Sequence, residues 1–270
     1  MDCKLTESNT ISTNTLKIIA IIAMTCDHIP YLYENWQAEY YLWPWVLMHS
    51  IGRMTAPIFF YLLALGYRRT RDANRYTLRL LVFAFISYVP YIWYFRGAPP
   101  NAANFLELNV IFTMLFGLLL LRAAHEVRHK ALKIFLIALC LIGGYWCDYG
   151  LYGLAMILVC GLGLAGKSRR GTVLGLGAVI MTYVYARTSS WFPNDISPFD
   201  SLATLFQTPR LTGSFMLYLF LLIPLVLIVR HRGWAEGEPE AKPGFFAKWG
   251  FYIFYPAHIT ALLLIGLYIL

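Results

Sequence analysis

Charge is what this sequence is short of. Only 13% of its 270 residues are charged and 59% are hydrophobic, whereas a soluble domain carries roughly 25% charged residues. So few charges cannot cover a water-facing surface. Acidic residues are the scarcer sign, 14 against 22 Lys and Arg, for a net charge of +8. In a soluble chain that surplus would suggest nucleic acid; in a membrane protein its placement matters more than its sum, and no nucleic-acid partner is expected. Cysteine is sparse too. Cys3, Cys26, Cys140, Cys147 and Cys160 form no CxxC pair, so neither a disulfide framework nor a thiolate metal site is indicated. No HExxH occurs, and no His or Cys pair with ligand spacing lies inside an apolar run, so no metal is expected. His125 and His129 are four apart, but in a basic connection. A GxSxG nucleophile motif is also missing, as is any internal repeat. Disorder is excluded by the aromatic content, 17% of the chain.

Long apolar runs are what is there. A spanning helix needs roughly 20 apolar residues, and nine runs qualify, near 15–33, 43–66, 76–95, 106–122, 131–147, 150–166, 171–187, 211–230 and 249–270. The fold class expected is all-α: one domain over 1–270, a polytopic bundle of about nine transmembrane helices in the lipid bilayer. The fifth and sixth are joined by a very short turn at Asp148-Tyr149-Gly150, and the seventh is weakened by Gly175 and Gly177. The connections 1–17, 67–79, 122–133, 166–171 and 230–248 hold 18 of the 22 cations; 34–42, 96–107, 148–149 and 187–210 hold only Arg96, Arg187 and Arg210. Basic loops mark the cytoplasmic side, which puts the N-terminus inside and the C-terminus outside. The first run follows a polar stretch without a basic n-region and reads as a retained helix rather than a signal peptide. Residues 231–247 read as an exposed cytoplasmic loop. The outer 188–210 segment, with Trp191, Phe192, Phe199 and Phe206, reads as interfacial or as lying across an entrance to the bundle.

One motif is rejected. Gly161 to Ser168 matches the Walker A expression letter for letter. A P-loop follows a strand and opens a helix, but this stretch closes an apolar span, where Gly166 ends the helix.

Ionisable groups inside a membrane are costly and suggest function. The candidates are Asp27, His28, His49, Arg53 and His258. His28 is 11 residues past Lys17 at the inner edge, roughly 16 Å deeper at 1.5 Å per residue. Arg53 is ten residues past Trp43 at the outer edge, and His258 ten past Lys248 at the inner edge, each about 15 Å in. Three spans thus bring polar groups to one level near the middle of a roughly 30 Å core. Structural readings stand beside this one: His49 as a satisfied helix histidine, Asp27 and Arg53 as a mutually neutralising pair, Asn109 as an interhelical hydrogen-bond donor.

These residues fall in blocks that resemble the TraX family, named for the F-pilin N-acetylase. Leu16 to His28 (LKIIAIIAMTCDH) is similar to its LKxIAxxxMxxDH signature, Gly52-Arg53 with Pro57-Ile58-Phe59 and Gly66 to its GRxxxPIF block, and Thr70-Arg71 with Tyr76, Arg79 and Leu80 continues it. Asn109 to Phe112 resembles the NxxF segment, Asp148-Tyr149-Gly150 with Gly153 the (D/S)YGxxG turn, and Phe254 to His258 the terminal FYxxH motif. Pro30 departs from the small or polar residue often found after DHx. The resemblance implies a multi-pass acetyltransferase of the inner membrane, passing acetyl from cytoplasmic acetyl-CoA to a pilin or other envelope acceptor, with a pilin-type N-terminal amine foremost. It implies His28 as general base with Asp27 beside it, Arg53 on the oxyanion or the donor, and His258 as second catalytic candidate. Asn109 and the cations Arg68, Arg69 and Arg71 are candidates for holding the donor. Acceptors of the other chemistry, the hydroxyls of an envelope glycan, fit equally, and midplane Asp, Arg and His groups also suit a proton-coupled transporter. A non-catalytic assembly factor for surface appendages is a further class.

Overall fold

The structure is a computed structural model describing residues 10–36, 43–188, 219–232 and 245–268. Residues 189–210, the start of the expected 211–230 span and most of 231–247 lie outside the described residues. The described chain is helical, with only two isolated β-bridges and no strand. Its helices are α1 Thr13–His28, α2 Trp43–Gly52, α3 Thr55–Arg69, α4 Ala73–Arg96, α5 Val110–Glu126, α6 Lys130–Tyr145, α7 Gly150–Ala165, α8 Arg169–Thr188, α9 Ile223–Val229 and α10 Phe245–Tyr268.

Among the described residues, four helical segments are long and apolar enough to cross a membrane: Thr13–Leu32, Pro44–Arg69, Ala73–Arg96 and Trp249–Tyr268. Gly150–Ala165 and Phe220–Val229 are apolar but shorter. The remaining expected spans are shorter or more polar: α5 ends in Arg122, His125 and Glu126, and α6 begins with Lys130 and Lys133.

Apolar side chains divide between a core and an outer belt. From Ala56 to Leu65, α3 is buried on nearly every side except at Leu62, as expected of a helix that is hydrophobic all round. It packs on α7, α5 and α1, while α4 packs on α10 and α5. The belt lies on outer helices. Leu78, Val82, Phe85 and Val89 form an exposed stripe on α4, and Ile134, Phe135, Leu139 and Ile142 another on α6. Phe85 is 62% exposed, a setting that suits lipid rather than water.

The connections sort to two ends, as their charges suggested. At one end Ile11 pairs with His231, Arg169 donates to the Val229 carbonyl at 3.0 Å, and Arg122 donates to Asn74 at 2.8 Å. At the other, Arg96 bonds Glu107, and the Asp148 N–H donates to the Leu108 carbonyl at 2.8 Å. His231, expected in an exposed loop, is 1% exposed instead. Thr13 and Tyr61 hold its two ring nitrogens at 2.9 and 2.8 Å, so the end of α9 is stitched to α1 and α3. At Gly166 the expected helix stop is found: it caps α7 through the Leu162 carbonyl.

Prolines stand in or beside the long helices around one region, and two of them mark helix breaks. Proline lacks an N–H and crowds the carbonyl four residues back. Pro30 follows His28 by two residues, and there α1 gives way to 3₁₀ turns over Ile29–Trp36. Pro57 stands four residues after Arg53, and there the expected continuous second span breaks into α2 and α3. The Met54 N–H turns to the Ile51 carbonyl at 3.2 Å, and Arg53 sits at the break. Pro90 lies within α4 beside Tyr91, and Pro256 within α10, two residues before His258.

A cavity beside the helix breaks as candidate active site

A cavity of about 200 Å³ lies where these breaks converge. Its lining includes Asp27 and His28 of α1, Tyr31 after it, Arg53 at the α2–α3 break, Phe59 of α3, Tyr91 and Phe95 of α4, Met114 of α5, Asp148 and Tyr149 of the α6–α7 turn, and Tyr255 of α10. Three groups expected near midplane from helical rise, Asp27, His28 and Arg53, therefore border one space. His258 stands directly behind His28.

The two histidines form a relay whose tautomers follow from one acceptor. His258 Nδ1 lies 2.8 Å from the Phe254 carbonyl, which can only accept, so Nδ1 carries the proton. In a neutral ring, Nε2 is then a lone pair. That atom lies 2.8 Å from His28 Nδ1, which must therefore donate. The two rings are inclined by only 6° with centroids 5.0 Å apart. That separation is the N···N distance plus two ring radii, so the rings meet edge to edge in a common plane. His28 is left with Nε2 unprotonated on a ring that borders the cavity. Phe95 packs edge-on against it at 5.1 Å, and Tyr94 donates to the His28 carbonyl at 2.7 Å, where the helix loosens.

Asp27 does not pair with Arg53. Its carboxylate accepts from His49 Nδ1 at 2.9 Å, with His49 2% exposed between Tyr31 and Trp45. Gly52 permits this approach, because a methyl group there would overlap Asp27 Cβ and Cγ. The threonine of the break, Thr55, donates to the Ala20 carbonyl at 3.3 Å and draws the start of α3 onto α1. Arg53 is thereby held at the cavity with its own Nε buried and unbonded, and no ion pair joins it to a described residue.

The other expected residues lie elsewhere. Asn109 is fully buried and its side chain is occupied: Oδ1 caps α5 by accepting from the Ile111 N–H at 3.0 Å, and Nδ2 donates to the Ala84 carbonyl at 3.0 Å. Asn109→Ala is therefore expected to cost about 1–2 kcal/mol of stability, as a lost N-cap does. Thermal unfolding beside donor affinity checks this: a lower melting temperature with unchanged donor affinity assigns Asn109 to the scaffold. Arg68 and Arg69 close the far end of α3, fifteen residues from Arg53 or roughly 22 Å along the axis. Arg68 donates to the Leu164 carbonyl at 2.9 Å, and Arg71 is exposed in the next bend. Asp148 and Tyr149, read from sequence as a turn and not as site groups, also line the cavity. A left-handed φ of 62° at Tyr149 and 49° at Gly150 turns the chain there between α6 and α7.

Apolar helices that enclose a cavity lined by ionisable groups define a polytopic membrane protein with an intramembrane polar site. The particular family follows from comparison with known proteins. The family model described as TraX protein matches residues 12–266, and the chain belongs to the TraX family. A curated relative, the probable fimbrial assembly protein FimC, serogroup H1, of Dichelobacter nodosus, is 29% identical over 251 residues, which is 92% of this chain and 92% of that protein. No solved structure matches.

Proposed function

We propose that this protein is an integral-membrane acetyltransferase. It moves acetyl from cytoplasmic acetyl-CoA to an acceptor at the membrane or its outer face, foremost a pilin-type N-terminal amine. The bundle then sits in the inner membrane with about nine spans, its basic end cytoplasmic. The observation that carries the reading is the hydrogen-bonded chain from His28 Nδ1 through His258 to the Phe254 carbonyl, which leaves Nε2 as the basic nitrogen of a His28 ring that borders the same cavity as Arg53.

Acyl transfer needs a base for the acceptor and a cation or dipole for the oxyanion. The acceptor nitrogen forms a bond to the acetyl carbonyl carbon while His28 Nε2 takes its proton. The carbonyl oxygen gains negative charge and Arg53 compensates it. The C–S bond then breaks, CoA leaves as thiolate, and the proton on His28 returns to it. His258 is a positioning residue: it holds the His28 tautomer and supports the imidazolium. Asp27, bonded to His49, adds a fixed negative charge beside that imidazolium. Arg68, Arg69 and Arg71 lie where the phosphates of an extended donor would meet the basic end.

Purified protein in nanodiscs, given labelled acetyl-CoA with a free-amine peptide or a glycan, tests this reading. Label on the peptide supports it, and label on the glycan assigns the hydroxyl chemistry instead. Proton or substrate flux in proteoliposomes without transfer favours a carrier, to which the paired midplane histidines are also suited. His258→Asn is expected to lower the maximal rate about tenfold or more with little change in acceptor KM, and to shift the pH–rate profile. An unchanged profile would leave His258 a packing residue.

A further inference from the structure

The cavity contains a second charge, of the opposite sign to Arg53, that no described residue pairs by direct contact, although the Arg53 and Arg187 charges act on it from a distance. Asp148 borders it from the α6–α7 turn. Its carboxylate accepts one backbone N–H, that of Tyr149 at 3.0 Å, and no cation or side chain is bonded to it among the described residues. The other acids and bases at this end have contacts of their own: Asp27 with His49, Arg96 and Glu107 with each other, and Arg187 over the Tyr183 ring at 5.6 Å. The backbone of Asp148 is fixed. Its N–H donates to Leu108, and its carbonyl accepts from Thr113. Enclosure by protein pushes the carboxyl up to about 6, with the Arg53 charge pulling the other way. At neutral pH the carboxylate is therefore the form that faces the cavity, open to water at the outer end of the bundle.

An immobilised carboxylate and an immobilised guanidinium that face one space without pairing ask for a ligand that presents both signs. Arg53 and its buried, unbonded Nε meet the negative charge of the acyl oxygen. We infer that Asp148 is the specificity-determining group of the acceptor subsite, where it holds the ammonium of a primary amine. This rests on the proposed acetyl transfer for the identity of the other ligand. An ammonium offers Asp148 a charge-assisted hydrogen bond, whereas a hydroxyl offers a neutral one, roughly half as strong. Once seated, the ammonium releases one proton to water at the cavity mouth and becomes the nucleophilic amine; His28 takes the second proton as the new bond forms.

The test is equilibrium binding of three forms of one short alanine-rich peptide to nanodisc-embedded protein: free N-terminal amine, hydroxyl in its place, and N-acetylated. The wild type is expected to bind the amine form about tenfold more tightly than either of the others. In Asp148→Asn the three affinities become equal while acetyl-CoA affinity is unchanged, and Asp148→Glu keeps the amine preference. No preference in the wild type, or a preference that survives in Asp148→Asn, overturns the inference. If the wild type prefers the amine but passes no label from acetyl-CoA, the amine subsite stands and the transfer reading falls. If label passes without amine preference, the reverse holds.

Discussion

His28→Ala is expected to lower acetyl transfer by 10²–10⁴-fold, the usual contribution of a positioned base, and to leave the protein folded. The ring is only partly buried and makes one side-chain hydrogen bond, to His258, so little packing is lost with it. Single-turnover label transfer gives the rate, and a melting curve on the same sample gives the fold. The base assignment requires the two to separate. A variant that keeps near wild-type turnover would return His28 to the scaffold and leave the cavity without a base.

Arg53→Met should move stability and activity in opposite directions. A half-buried cation whose Nε is buried and bonded to no described residue costs folding free energy, and an apolar residue of similar length removes that cost. The thermal midpoint of Arg53→Met is therefore expected to equal or exceed that of the wild type. Transfer should fall by roughly 10²–10³-fold, as when an oxyanion donor is removed. Arg53→Lys should also impair transfer, because a point ammonium cannot reproduce a planar fork. A drop in stability with activity retained in Arg53→Met would make Arg53 a structural ion.

Legibility differed between fold and site. The apolar runs gave the helices closely, because a membrane helix carries its signal in its own composition. The charge asymmetry of the connections likewise agrees with the two ends at which they meet. Helical rise also placed His28, Arg53 and His258 at one depth, but depth along an axis says nothing about rotation around it. The His28–His258 bond spans 230 residues of sequence and depends on how α10 is turned.

The partner of Asp27 was hidden for a related reason. Arg53 is the obvious opposite charge, but the space left by Gly52 and the end of α2 brings His49 to the carboxylate. Pro57 held a readable clue, since the carbonyl it strands belongs to Arg53. Asp148 read only as part of a short turn, because its position in the cavity depends on the backbone at Tyr149 and Gly150. His231, in a polar stretch of sequence, is buried through bonds to Thr13 and Tyr61 that no local pattern announces.

A structure of the protein with acetyl-CoA bound tests the central claim most directly. The account predicts the thioester in the cavity, its carbonyl oxygen within hydrogen-bond reach of Arg53 and its carbonyl carbon beside His28 Nε2, with the phosphates toward Arg68, Arg69 and Arg71. CoA seated elsewhere, or a cavity filled by lipid while the donor is bound, would contradict it.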